Sequence, residues 1–320
     1  MVIEYNTGRD NLALTIMVPY NCFNNCPFCT SKESYSRIRP DLHRVIKTTK
    51  EFFEKNRTLY VTDVVISGGE PMANVDGLKM ILEAIPGYMR VFINTSLVKQ
   101  GFAEFCELVN NDDRIKGINV SRHGTTYEED CEMLCDIVKE SEFVHIKKPI
   151  RINCVWQPCV NRVQKIIDLL RGWENIPNVE LSIREDYNDM TKRDLHTPYY
   201  GILPILAFYC DYVKTTSCEV CDTVHFVYGD RLPIRYHRGL KYTSFGTYVK
   251  HVNDVIIRQD GEIFFDWDMS EESMLPIDHV RGYNVLPMEV SEAVKNKKRE
   301  SLRTAGVVVG SCGGGRGSCG

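Results

Sequence analysis

No stretch of this chain approaches the roughly 20 consecutive apolar residues that a membrane-crossing helix needs, so a bundle of membrane helices is excluded. The N-terminus, MVIEYNTGRDN, lacks a basic segment followed by an apolar run. No export signal is therefore expected, and the expected location is the cytoplasm. An excess of positive charge is missing too. The formal net charge is −4, which gives no support for a chain that coats nucleic acid, although a local basic groove is compatible with it. Finally, the cysteines do not come in an even number. Thirteen of them in a chain read as intracellular argue against a disulfide framework and toward metal or catalytic use.

What is present suits a globular enzyme. At 320 residues, with 43% hydrophobic and 26% charged residues, the chain is long enough for one large α/β domain with an appendage. From residue 12 to about residue 186, strand-like and helix-like patterns alternate. LALTIMVPY, DVVISGGEP, YMRVFINTS, IKGINVSRHG, IRINCVWQP and NVELSIRED read as strands. Between them, DLHRVIKTTKEFFEKN, LKMILEAI, FAEFCELVNN, YEEDCEMLCDIVKE and VQKIIDLLRGWE read as helices. Six such repeats with short connections predict a parallel sheet with helices outside it, wound right-handedly into a partial (β/α)6 barrel. In such sheets ligands bind at the carboxyl ends of the strands.

After about residue 190 the alternation stops. HFVYGDRLPIRYH and DVIIRQDGEIFFDWD read as β-structure with a Gly-Asp and an Asp-Gly turn. A charged helix over roughly 288–303 and a tail ending GSCGGGRGSCG follow; the tail's composition does not fold by itself. The expected division is a core at 1–190, a smaller β-rich extension at 191–288, and a helix with a flexible Gly/Cys tail at 289–320.

Cys22, Cys26 and Cys29 form C-x3-C-x2-C just past the first strand. Three thiolates on a short loop can hold three corners of a cubane iron–sulfur cluster and leave one iron open. Structural zinc would need a fourth ligand from elsewhere. The second strand ends in Ser67-Gly68-Gly69-Glu70-Pro71, so both segments fall side by side on the same rim. Cys106, Cys131, Cys135 and Cys154 sit singly among apolar residues and read as buried small hydrophobes; Cys159 stays undecided.

Together these two motifs resemble the radical S-adenosylmethionine (SAM) superfamily, over roughly residues 10–190. The resemblance implies a [4Fe–4S] cluster on Cys22, Cys26 and Cys29, with the open iron chelating SAM. Phe28 would pack near the adenine, and the Glu70 carboxylate would receive the methionine ammonium. Asn94, Thr95, Ser121, Arg122 and Asn153 lie at strand ends that hold the cofactor's carboxylate and ribose in such proteins; polar strand ends also serve as plain caps. The implied enzyme, of oxidoreductase or lyase type, cleaves SAM reductively to a 5′-deoxyadenosyl radical that abstracts a substrate hydrogen. An electron donor such as flavodoxin or ferredoxin is implied as well. His123, in SRHG at the end of the fourth strand, is a candidate proton donor or substrate contact, or a satisfied strand-end histidine.

Cys210, Cys218 and Cys221 suggest a second metal site, a further iron–sulfur cluster or zinc. Relatives often carry a CxxC and then a hairpin of the form DG-x-I-x-x-C. Here the last position is Asp266, so the site is degenerate, or Asp266 is a ligand, or Cys312 and Cys319 of the tail complete it. The tail alternatively reads as a self-substrate, a docking segment, a redox pair or an inert linker end. The layout favours an enzyme that modifies a peptide or protein. The alternatives are a nucleotide or nucleoside substrate and the activation of a glycyl-radical partner.

Overall fold

The computed structural model describes residues 12–24, 26, 29, 38–55, 61–123, 136–156, 161–185, 202–217, 222–238, 254–264 and 274–275. Phe28, Asp266, Cys131, Cys135, Cys159, Cys218, Cys221, Cys312 and Cys319 lie outside the described residues, as does everything assigned to 289–320.

The elements follow the expected order. Strands β1 (Leu12–Val18), β2 (Val61–Gly68), β3 (Arg90–Thr95), β4 (Ile115–Ser121), β5 (Ile150–Trp156) and β6 (Val179–Glu185) alternate with helices α1 (Leu42–Lys55), α2 (Val75–Glu83), α3 (Phe102–Asn111) and α4 (Arg162–Trp173). The chain continues through α5 (Leu203–Tyr209), β7 (Asp211–Ser217), β8 (Asp222–Tyr228), β9 (Leu232–Arg238), β10 (Asp254–Ile257), β11 (Ile263–Phe264) and β12 (Met274–Leu275). The twelve strands among the described residues form one sheet in the order β12-β11-β10-β1-β2-β3-β4-β5-β6-β9-β8-β7. From β10 through β9 neighbours run parallel, and only the outer pairs are antiparallel. The expected parallel α/β architecture is therefore present.

The described strands of the 191–288 segment do not stack as a layer of their own. They extend the sheet at both edges: β9 lies beside β6 and β10 beside β1. Unpaired edge N–H and C=O groups on β1 and β6 would otherwise be left open. The two expected turns are there. Gly229, Asp230 and Arg231 join β8 to β9; Gly229 and Asp230, at φ of 57° and 59°, form a type I′ turn closed by the Arg231 N–H on the Tyr228 carbonyl. The Asp260-Gly261 turn joins β10 to β11, closed by the Gly261 N–H on the Arg258 carbonyl.

Strand periodicity separates two faces. One carries Leu14, Ile16, Val64, Ile66, Val91, Ile93, Ile118, Val120, Ile152, Leu181, Ile183 and Ile234, all at most 1% exposed. This face packs against the helices in one continuous core with Val45 and Phe52 of α1, Leu78 and Ile81 of α2, Phe105 and Val109 of α3, and Ile166 and Leu170 of α4. The other face carries most of the buried polar residues, beside a smaller apolar patch of Met17, Phe92 and Ile256. Thr15, Asp63, Asn119, Arg151, Glu180, Ser182, Arg235 and His237 are buried there. A sheet that buries apolar residues outward and polar ones inward is built around an interior designed for something other than packing.

One expected helix is absent where it can be seen. Of YEEDCEMLCDIVKE, residues 127–135 lie outside the described residues, and residues 136–138 are extended. Ile137 bridges Val98, and the Val138 N–H donates to the Leu97 carbonyl at 2.9 Å. A 3-10 turn, Glu140–His145, follows. Pairing with the segment after β3 overrides local helix propensity at this point. Among the described residues no helix is long and apolar enough to cross a membrane.

Candidate functional site

The site is the rim at the carboxyl ends of β1 to β5. After Val18 the chain turns through Pro19 and Tyr20 into the cysteine loop. Cys22 and Cys29 are exposed, Cys26 is half-buried, and none forms a disulfide. The loop is strapped to β3: Asn24 Nδ2 donates to Ser96 Oγ at 2.6 Å, while the Asn24 N–H reaches Cys22 Sγ at 3.4 Å.

The glycines of the second motif are there for close approach. Gly68 has φ of 112°, a conformation that other residues rarely adopt. A Cβ on Gly69 would lie 2.0 Å from the Tyr20 carbonyl oxygen. The SGGEP loop thus packs directly on the entry to the cysteine loop. On the other side, a Cβ on Gly77 would lie 1.9 Å from Tyr20 Oη. Tyr20 is held between the two glycines. Burial pushes its hydroxyl well above the usual tyrosine range, and Oη has no hydrogen-bond partner among the described residues.

Glu70 is the hub of the rim. It is 1% exposed. One carboxylate oxygen accepts the Met72 N–H at 3.0 Å and the Thr95 hydroxyl; the other accepts the Ser96 N–H at 2.6 Å. Burial raises its pKa, while the hydrogen bonds from Thr95, Met72 and Ser96 oppose that. The carboxylate that the sequence expects to meet a ligand ammonium also caps the Pro71–Asn74 3-10 turn and ties β2 to β3. Through Ser96 and Asn24 the same network reaches the cysteine loop. The turn it fixes includes Leu97 at φ of 54°, a strained, fully buried leucine held by its N–H on Thr95 Oγ1 at 2.8 Å.

The remaining strand-end candidates divide into two sets. Ser67, Asn94 and Asn119 form a hydrogen-bonded row across the interior face of β2, β3 and β4: Asn94 Nδ2 donates to Ser67 Oγ at 3.1 Å, and Asn119 Nδ2 to Asn94 Oδ1 at 2.6 Å. Register places Ser121 opposite Asn153 on the same face, and Asn153 Oδ1 is buried with no partner among the described residues. Arg122 does not join this row. Its guanidinium donates to the carbonyls of Ser96, Ser121 and Val138 and lies 5.9 Å from the Phe143 ring centroid. It therefore secures the rim through these three carbonyls. His123 accepts the Val155 N–H on Nδ1 at 3.1 Å. Burial, and then the charge of Arg122, hold its pKa down to about 4, so it is neutral near pH 7 with its proton on Nε2. Asn24, Ser96 and Asn119 were not singled out by sequence; a lone polar residue carries no spacing signal until the fold brings its partners together.

Cys210 is buried in the apolar core. Burial first, and the Asp211 charge second, push its thiol up to about 12; Cys218 and Cys221, its expected companions at a second metal site, lie outside the described residues. Cys106 and Cys154 are buried, as expected. Among the described residues no three Cys, His, Asp or Glu side chains converge on one point. The donor set at the rim still suits an iron–sulfur group: three thiols are soft ligands, on one loop, with two of them open to the mouth.

No family model matches the chain, and no curated protein does either. Solved structures do. The chain is similar to Streptococcus suis SuiB bound to S-adenosylmethionine, with TM-score 0.55 and 14% identity, covering 85% of this chain and 66% of that one. It is also similar to Streptococcus suis SuiB bound to the precursor peptide SuiA, with TM-score 0.53 and 15% identity, covering 80% and 60%. At these identities the likeness shows a shared fold. The chain spans two thirds or less of the length of these SuiB chains.

Proposed function

We propose that this chain is a radical SAM enzyme that modifies a peptide or protein. One observation carries the reading. The C-x3-C-x2-C loop and the SGGEP loop, read from sequence as neighbours, are packed backbone to backbone at Gly69 and Tyr20, at the mouth of a barrel with a polar interior. The fold is shared with SuiB, a protein solved both with S-adenosylmethionine and with a precursor peptide, which supports the choice of cofactor and substrate class.

In this reading Cys22, Cys26 and Cys29 hold a [4Fe–4S] cluster. When bound, the cluster and S-adenosylmethionine supply the one-electron chemistry that leads to hydrogen abstraction. The protein's own residues position and shield. Glu70, through Thr95, Ser96 and Asn24, fixes the cysteine loop against β3. The Ser67–Asn94–Asn119 row and the Asn153 oxygen, unpartnered among the described residues, offer fixed acceptors and donors to the polar groups of the cofactor. The helix-covered apolar face keeps solvent from the back of the sheet. His123 stays neutral and contributes an N–H, not a charge. Reduced with dithionite in the presence of S-adenosylmethionine, the protein should release 5′-deoxyadenosine, and Cys26→Ala should release none. Release that persists in Cys26→Ala would end the radical reading.

A further inference from the structure

The interior carries a second polar cluster, away from the cysteine loop, on β5, β6 and β9. Register places Arg151 of β5, Glu180, Ser182 and Arg184 of β6, and Arg235 and His237 of β9 on the interior face. Glu180 is fully buried and serves two cations at once: Arg151 Nε donates to one oxygen, and Arg235 Nη2 lies 3.5 Å from the other. Arg184 is a third guanidinium, half-buried, one residue before the carboxyl end of β6. Among the described residues this wall therefore sets three guanidiniums against one carboxylate. His237 adds no charge. Its ring nitrogens lie 3.1 Å from Ser182 Oγ and 3.2 Å from Thr223 Oγ1, and burial, then Arg184, Arg151 and Arg235, push its pKa down to about 2. A wall of cations facing a low-dielectric interior is costly by itself and favours an incoming anion. Guanidinium forks match carboxylates in shape as well as charge.

We propose that the β5–β6–β9 wall is a carboxylate-binding subsite for the substrate, with Arg184 at the mouth as the cation that meets it. The peptide would be anchored there by an acidic side chain or by its terminal carboxylate, on the same rim as the cysteine loop but on the far side of the barrel. The inference deepens the proposed function, because it takes the barrel interior as the substrate chamber. Its test needs no SAM cleavage, so the two can fail separately.

The experiment is calorimetric titration of the full chain, in low-chloride buffer, with N-acetyl-L-glutamate α-methylamide, whose only carboxylate is the side chain's, and with its neutral isostere N-acetyl-L-glutamine α-methylamide. The wild type should bind the glutamate and not the glutamine. Arg184→Lys should bind within about threefold of wild type, and Arg184→Gln should bind at least about tenfold more weakly, as expected for one lost charge-assisted hydrogen bond. S-adenosylmethionine should bind wild type and Arg184→Gln equally. Equal binding of glutamate and glutamine by the wild type would overturn the subsite, and that comparison requires no variant to fold. Unchanged glutamate affinity in Arg184→Gln would overturn the role of Arg184. A parallel loss of S-adenosylmethionine affinity would assign the cation to the cofactor's carboxylate and overturn the substrate assignment.

Discussion

A methyl group added at Gly69 meets the Tyr20 carbonyl at 2.0 Å, and one added at Gly77 meets Tyr20 Oη at 1.9 Å. The two contacts differ in kind. The first is backbone and cannot swing aside; the second is the tip of a ring. Gly69→Ala should therefore cost about 3 kcal/mol and displace the cysteine loop, and Gly77→Ala should cost about 1–2 kcal/mol. Tyr20→Leu removes the atoms that clash with the second methyl, so it should recover most of that loss in the double variant and none of the Gly69→Ala loss. Denaturant unfolding measures both, and non-additivity is the signature. Glu70→Gln is nearly isosteric, but its amide nitrogen cannot accept the Ser96 or Met72 N–H. It should cost about 1–3 kcal/mol through one unsatisfied buried donor. A neutral effect of Glu70→Gln on stability would show that the carboxylate is not the hub described above.

At the scale of elements, β6 tests the separation of faces. Ile183, fully buried against the helices, should cost about 2–4 kcal/mol as Ile183→Ala. Its neighbour Ser182, equally buried but facing the interior, should cost about 1 kcal/mol as Ser182→Ala, the value of one hydrogen bond. Equal losses would contradict the assignment of an apolar outside and a polar inside. The six parallel strands were legible because each is a short apolar run between helical patterns, and the two glycine turns because their residues suit positive φ. The placement of β9 and β10 was not legible: nothing in LPIRYH or DVII says which open edge it will cover. At the described end of the helix expected at 127–140, Ile137 and Val138 instead found partners after β3, a contact that no local pattern encodes. The cysteine and glycine motifs marked the rim correctly, but the direction of the Glu70 and Arg122 side chains depended on Ser96, Thr95 and Val138, which only the fold brings near.

The whole molecule responds to pH through the histidines of the interior. His237 has a folded pKa near 2, against about 6.5 in the unfolded chain. The unfolded state therefore binds a proton that the folded state refuses as pH falls below about 6.5, and stability drops with falling pH by about 1.4 kcal/mol per pH unit from this group. His237→Gln should remove close to one proton from the pH slope of unfolding free energy between pH 6 and pH 4; an unchanged slope would show that His237 titrates normally.

The central claim is that the rim at Cys22, Cys26 and Cys29 holds an iron–sulfur cluster that cleaves S-adenosylmethionine. It is tested most directly by the iron and sulfide content of anaerobically prepared wild type beside the triple alanine variant of these cysteines, with 5′-deoxyadenosine assayed on the same samples. The account predicts about four irons lost with the triad, together with all deoxyadenosine formation; any iron left in the variant belongs to a second site. Equal iron in the two proteins, or deoxyadenosine made by both, would contradict it.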